Sequence, residues 1–180
     1  SIPSLIANLC NLETFIVTTY YSGGGLSLLQ DAFWNMLKLR HLHVRGALID
    51  LSLANDNPES SSVLYNLDTF STPKLYVGQS LDAMIRKFPN IRELKCCLLE
   101  SEESTSDSIK IVAMDSLRQL ESLKLLLSQV SAHHIELLLP SNLRRLTLVD
   151  FSWSLLSSVG QLSNLEVLKL IGQSDGDGVK

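Results

Sequence analysis

The residues of this chain that could do chemistry are few and poorly placed for it. Gly23-Gly24-Gly25 could free backbone N–H groups for a phosphate, but a phosphate loop needs Gly-Lys-Ser/Thr at its end, and Leu26-Ser27 follows here. A flexible turn is expected instead. His133-His134 offers two imidazoles, yet adjacent residues on a helix do not share a face and no third ligand is near in sequence. "SDGDG" at residues 174–178 resembles the start of a calcium loop without its spacing or closing glutamate. Cys10, Cys96 and Cys97 are an odd set with no C-x-x-C spacing, which excludes a disulfide framework and a cysteine zinc site. No nucleophile, base and orienting acid can be assembled, so no catalytic, metal or cofactor site is expected.

Composition narrows the class. The 180 residues are 45% hydrophobic and 19% charged, values of an ordered chain able to bury a core, with one domain as the length prior. Aromatics make up only 6%, so aliphatic side chains must fill that core. A net charge of −4 argues against wholesale nucleic-acid binding. No apolar run approaches the roughly 18 residues of a membrane span. The unpaired cysteines and the lack of any Asn-x-Ser/Thr sequon predict a reducing, cytoplasmic setting.

The elements that would carry any site follow from a repeated frame. "NLEVLKL" (164–170) and "NLRRLTL" (142–148) place leucine at the second, fifth and seventh positions. Extended one step upstream to L-x-x-L-x-x-L-x-L, the frame recurs seven times. Its third ladder positions are Phe15, Leu42, Phe70, Leu94, Leu123, Leu146 and Leu168. The steps of 27, 28, 24, 29, 23 and 22 residues lie inside the leucine-rich-repeat range. Of 28 ladder positions only Thr72 and Pro140 are not apolar.

The predicted fold is therefore α/β: a leucine-rich-repeat solenoid over residues 1–180, curved like a horseshoe, with a parallel β-sheet on the concave face. About seven repeats of 22–29 residues are expected, uncapped at both ends, as if cut from something longer. Helices are predicted over 26–37 and 81–88 on the convex side, with Gly23–Gly25 and Pro73 as breakers, and a third over 131–139. Long loops are expected over 55–62 and in the acidic "LESEESTSD" at 99–107. Trp34 and Trp153 are expected to pack against the leucine core.

In each strand the residues flanking the two inward leucines face outward. The seven triplets run Thr14-Ile16-Thr18, His41-His43-Arg45, Thr69-Ser71-Pro73, Glu93-Lys95-Cys97, Ser122-Lys124-Leu126, Arg145-Thr147-Val149 and Val167-Lys169-Ile171. They hold five of the 15 Lys/Arg but one of the 19 Asp/Glu, so this face carries +4 and the rest of the chain −8. His43, Arg45, Lys95, Lys124, Arg145 and Lys169 form a basic stripe, edged by Leu126, Val149 and Ile171. Such a surface fits a protein partner that is acidic and partly apolar.

The segments between ladders carry a family resemblance. "IPSLIANLCNLETF", "FWNMLKLRHLHV", "STPKLYVGQSLDAMIRKFPNIRELKC" and "LPSNLRRLTLVDFSWSLLSSVGQLSNLEVLKL" resemble plant intracellular NLR immune receptors, the coiled-coil nucleotide-binding leucine-rich-repeat proteins of late-blight-resistance-like type in nightshade plants. The likeness runs from Ile2 to Leu170. It departs at Ser154-Leu155-Leu156, where a Pro-Trp pair is common, and in the tail "GQSDGDGVK".

The resemblance implies a protein-interaction module that recognises a pathogen effector or a guarded host protein. It also implies a clamp on the receptor's own nucleotide-binding domain. ATP or ADP would belong to that domain, since no phosphate loop occurs here; nucleic acid and direct membrane insertion are not expected, and the location would be cytoplasmic or peripheral to membranes. Substrate-recognition repeats of an F-box ubiquitin ligase are the alternative reading, decided by whether an F-box or a phosphate loop lies upstream.

Overall fold

In the computed structural model, residues 4–19, 35–45, 49–50, 63–77, 86–100, 109–130 and 135–172 are described. The ladder residues set the architecture. Each x-L-x-L-x stretch is a strand whose alternation sends two apolar side chains to one face. The strands are β1 (Thr14–Thr18), β2 (His41–Arg45), β3 (Ile49–Asp50), β4 (Thr69–Tyr76), β5 (Glu93–Leu99), β6 (Lys110–Ala113), β7 (Ser122–Gln129), β8 (Ile135–Leu138), β9 (Arg145–Val149) and β10 (Val167–Ile171). One sheet runs β1-β2-β4-β5-β7-β9-β10, every pair parallel, with β3 added beside β4. This is a leucine-rich-repeat solenoid.

Register brings the ladder into line. Phe15, Leu42, Phe70, Leu94, Leu123, Leu146 and Leu168 occupy a single column across the sheet. Phe70, Leu94, Leu123 and Leu146 are at most 1% exposed, and each such burial contributes roughly 1.5–3 kcal/mol. Between strands, Leu39, Leu67, Ile91, Leu120 and Leu143 close the same interior, again at 0–1% exposure. Phe70 and Phe88 meet edge to face, centroids 5.5 Å apart, and so tie a strand to the turn behind it.

Several expectations change on the convex side. The helix expected over 131–139 is absent where described: β8 pairs in parallel with β6, from Lys110↔Ile135 to Ala113↔Leu138, as a second, two-stranded sheet. Pro140 bears only on the end of this stretch, because a proline disfavours helical backbone at the residue before it, Leu139. Leu137 turns inward at 2% exposure while Glu136 and Leu138 face out. Within 81–88, residues 86–87 are helical and the helix stops before Phe88-Pro89; 81–85 lie outside the described residues. Within 26–37, Asn35 and Leu37 are in turns and 26–34 are not described.

Pro73 does not break the chain. It lies inside β4, buried, opposite Ile49. Trp153 also departs from its expected role: it is 73% exposed, in a 3-10 turn (Trp153–Leu155), and touches Phe151 edge to face at 5.2 Å. Leu155 and Val159 make the core contact there, Val159 from α1 (Leu156–Val159), a single helical turn. β5 extends through Leu99, so the acidic segment starts later than expected; residues 101–107 and the loop at 55–62 lie outside the described residues. The same holds for Gly23–Gly25, Trp34, His133-His134 and 174–178. Among the described residues no helix is long and apolar enough to cross a membrane, and no three His, Cys, Asp or Glu gather as a metal site.

Candidate interaction face

The outward positions of the concave sheet form columns by register. The middle column runs Ile16, His43, Ser71, Lys95, Lys124, Thr147, Lys169. Leu126, Val149 and Ile171 share the next column, two residues further along each strand. All are at least half-buried or exposed at the surface, Ile171 to 38%. Arg145 and Lys169 are exposed, and Arg145 lies in the first column with Ser122 and Val167. His43 stacks on His41 with centroids 6.4 Å apart, and His41 Nδ1 lies 3.2 Å from Thr69 Oγ1.

Like charges meet at the centre of this face. Lys95 and Lys124 are register partners on neighbouring strands. Burial holds the Lys95 ammonium below the ordinary lysine range, and the charges of Lys124 and Arg45 push it further down. Three cations thus share one field. Between His43 and Lys95 in this column stands Ser71 on β4, whose hydroxyl accepts from Val44 N at 3.1 Å and donates to Leu42 O at 3.4 Å. The side chain therefore serves the backbone of β2.

Two members of the expected outward triplets do not face out. Proline lacks the N–H that a ladder needs, and the β4–β5 register shifts between Ser71 and Lys74. Lys74, in place of Pro73, comes opposite Cys97. Cys97 itself is buried, 5% exposed; desolvation pushes its thiol up, partly offset by the positive charge of Lys74. The buried Cys96 thiol is pushed far up, chiefly by burial and then by Cys97.

The residue just before each strand was overlooked by the triplet reading, yet it forms a third feature. Glu13, Arg40, Asp68, Arg92, Glu121, Arg144 and Glu166 stand in sequence across the sheet edge, alternating in sign. Each of the first six carbonyls accepts two N–H groups from the next strand's start; Glu13 O takes Arg40 N at 2.7 Å and His41 N at 3.0 Å. Side chains follow: Arg40–Asp68 at 3.1 Å, Arg92–Glu121 at 3.7 Å and Arg144–Glu166 at 3.1 Å. Two positions upstream, Asn66, Asn90, Asn142 and Asn164 donate their amides to Leu37, Tyr65, Arg118 and Ser141 carbonyls of the previous repeat.

The signal was the N-L-charge start of "NLEVLKL" and "NLRRLTL", visible once strands are aligned by register. A polar recess of about 340 Å³ lies along this edge, lined by Arg118, Glu121, Arg144 and Glu166 among others. Its two signs balance, so it lacks the one-sided field of the concave centre.

The chain is 36% identical over 98% of its length to a putative late blight resistance protein homolog of Solanum demissum, and spans 13% of that protein. It is 37% identical over 98% of its length to a late blight resistance protein of the same plant, spanning 14% of it. Another putative homolog from Solanum demissum is 36% identical over 98% of the chain, which spans 23% of that relative. The chain thus covers much less than two thirds of these relatives. No family model matches it, and no solved structure does.

Proposed function

This chain belongs, over the stretch it spans, to the late blight resistance proteins, and from that footing we propose that it is the protein-interaction part of a plant disease-resistance receptor. Its concave face meets an acidic, partly apolar protein surface through His43, Arg45, Lys95, Lys124, Arg145 and Lys169, with Leu126, Val149 and Ile171 beside them. The supporting observation is the register pairing of Lys95 with Lys124 on the outward face, with the Lys95 pKa lowered first by burial and then by the charges of Lys124 and Arg45. A cluster of like charges of this kind costs the free chain stability and is relieved by a negative partner.

In the receptor the partner at rest is its own nucleotide-binding domain, where ATP or ADP would bind, and the activating partner is a pathogen effector or a guarded host protein. An effector shifts such a switch only by its differential affinity for the two states. The setting of this switch is cytoplasmic, and the chain itself contributes binding, with no catalytic step.

The test is binding of the 180-residue chain to the nucleotide-binding portion of its parent protein, titrated at low and high salt. Salt-sensitive binding that is lost in Lys95→Glu/Lys124→Glu supports the reading. Binding unaffected by both substitutions would remove the concave stripe from the contact.

A further inference from the structure

We propose that the outer edge of β10 receives a parallel strand of the same leucine frame whose leading residue is lysine or arginine, and that Glu166 sets that sign. The relatives are several times longer than this stretch, which spans 13–23% of them, so the strand is assigned to the same polypeptide. The inference is independent of the concave-face reading.

The edge of β10 is unfinished. β9 is flanked by β7 and β10, whereas β10 has no strand on its other side among the described residues. Leu146 and Leu148 are fully buried, yet their register partners are Leu168, 44% exposed, and Leu170, half-buried. Leu165 is likewise half-buried where its counterpart Leu143 is fully buried. An open strand edge above an apolar ladder is a template for one more strand.

The backbone fixes which residue of that strand meets Glu166. At all six internal junctions, the carbonyl just before one strand accepts two N–H groups, from the residue before the next strand and from its first residue. Arg144 O takes Glu166 N at 2.8 Å and Val167 N at 2.9 Å in this way. Glu166 O offers the same acceptor, so the arriving leading residue stands beside Glu166 at strand spacing, roughly 4.8 Å. Two positions earlier an asparagine fits, donating to Ser163 O as Asn164 donates to Ser141 O.

Sign follows from the column. Glu13, Asp68 and Glu121 are each followed across the sheet by an arginine: Arg40, Arg92 and Arg144. Asp68 and Glu121 are so followed although each already bridges backward, to Arg40 and Arg92. Glu166 repeats that situation, bridged backward to Arg144 at 3.1 Å with its side chain 61% exposed. In water, unit charges about 5 Å apart weaken or strengthen an association by about fourfold, according to sign. The chain's own β1 shows what is excluded. It carries the frame, with Asn11 and half-buried Leu12, Phe15 and Val17, but Glu13 leads it. A second copy thus matches β10 in the ladder and opposes it in charge.

The experiment uses that mismatch, with the 180-residue chain as its own probe. Glu166→Arg, Glu13→Arg and the double variant are compared with the wild type by sedimentation over a range of concentrations at low salt. Each single reversal is expected to tighten end-to-end association about fifteenfold, because repulsion becomes attraction, and the double variant to return to the wild-type value. Near 1 M salt, where the screening length is about 3 Å, the four should converge. Glu166→Gln, which disturbs β10 least, should tighten association about fourfold. Leu168→Asp in the Glu166→Arg chain should abolish it. Four equal association constants at low salt would overturn the selection by charge. Association that survives Leu168→Asp, or none in any variant, would overturn β10 as the receiving edge.

Discussion

Arg144 Nη1 lies 3.1 Å from Glu166 Oε1 on the next strand, the last rung of an edge column that alternates in sign from Glu13 onward. Both side chains are about 60% exposed, so the pair alone contributes roughly 0–1 kcal/mol. The pattern matters more than the rung. Like charges about 5 Å apart in water repel by roughly 0.8 kcal/mol, and the alternation avoids this at every step of the stack. Arg40→Glu, Arg92→Glu and Arg144→Glu together would put seven acids in line. Urea unfolding of that triple variant should show a loss of about 3–5 kcal/mol at low salt, largely recovered near 1 M salt, where the screening length is about 3 Å. A loss that salt does not recover would mean the arginine stems, not their charges, hold the edge.

Leu146 and Leu168 are register partners in the same ladder column, yet Leu146 is fully buried and Leu168 is 44% exposed on β10. Alanine should therefore cost about 2–5 kcal/mol at Leu146 and under about 1.5 kcal/mol at Leu168. The difference comes from neighbours: β9 is flanked on both sides, and β10 on one among the described residues. Equal losses in chemical denaturation would show that β10 is covered in solution.

The ladder was legible in sequence because burial writes itself as spacing. Leu42, Leu94, Leu123 and Leu146 need nothing beyond the +3, +2 frame to be placed inward. Register was not legible where one residue changed it. Pro73 carries no N–H, the β4 register shifts, and Lys74 rather than Pro73 comes opposite Cys97. β8 was missed because Ile135-Glu136-Leu137-Leu138 is short and apolar, and its pairing with β6 is 25 residues distant in sequence. The edge column was missed for a different reason. Its charges lie 22 to 29 residues apart and acquire their order only when the strands stack, whereas Lys95 and Lys124 could be aligned from the frame itself.

Thiol chemistry separates the three cysteines. Cys10 is exposed, whereas Cys96 and Cys97 are buried with thiols pushed up by desolvation, so little thiolate is present at neutral pH. Alkylation of the native chain at neutral pH should modify Cys10 alone, and all three in denaturant. Fast modification of Cys97 in the native state would mean that the β4–β5 bulge opens readily.

Lys95 offers a titration that reads the concave field directly. Its folded pKa is depressed by burial first, then by Lys124 and Arg45. The sign follows from linkage. Below the folded pKa the ammonium is charged in both states and the fold carries the full penalty. As pH rises through the depressed pKa toward the ordinary lysine value, the folded ammonium loses its proton first and the penalty is relieved. Stability should thus gain a small contribution from Lys95 on entering the alkaline range. Lys124→Gln should move the Lys95 pKa upward and shrink that contribution, and an acidic ligand bound over the stripe should move it upward as well. An NMR titration of the Lys95 side chain checks both shifts. A Lys95 pKa unchanged by Lys124→Gln would leave burial and Arg45 as its causes, and the three cations would then no longer count as one cluster.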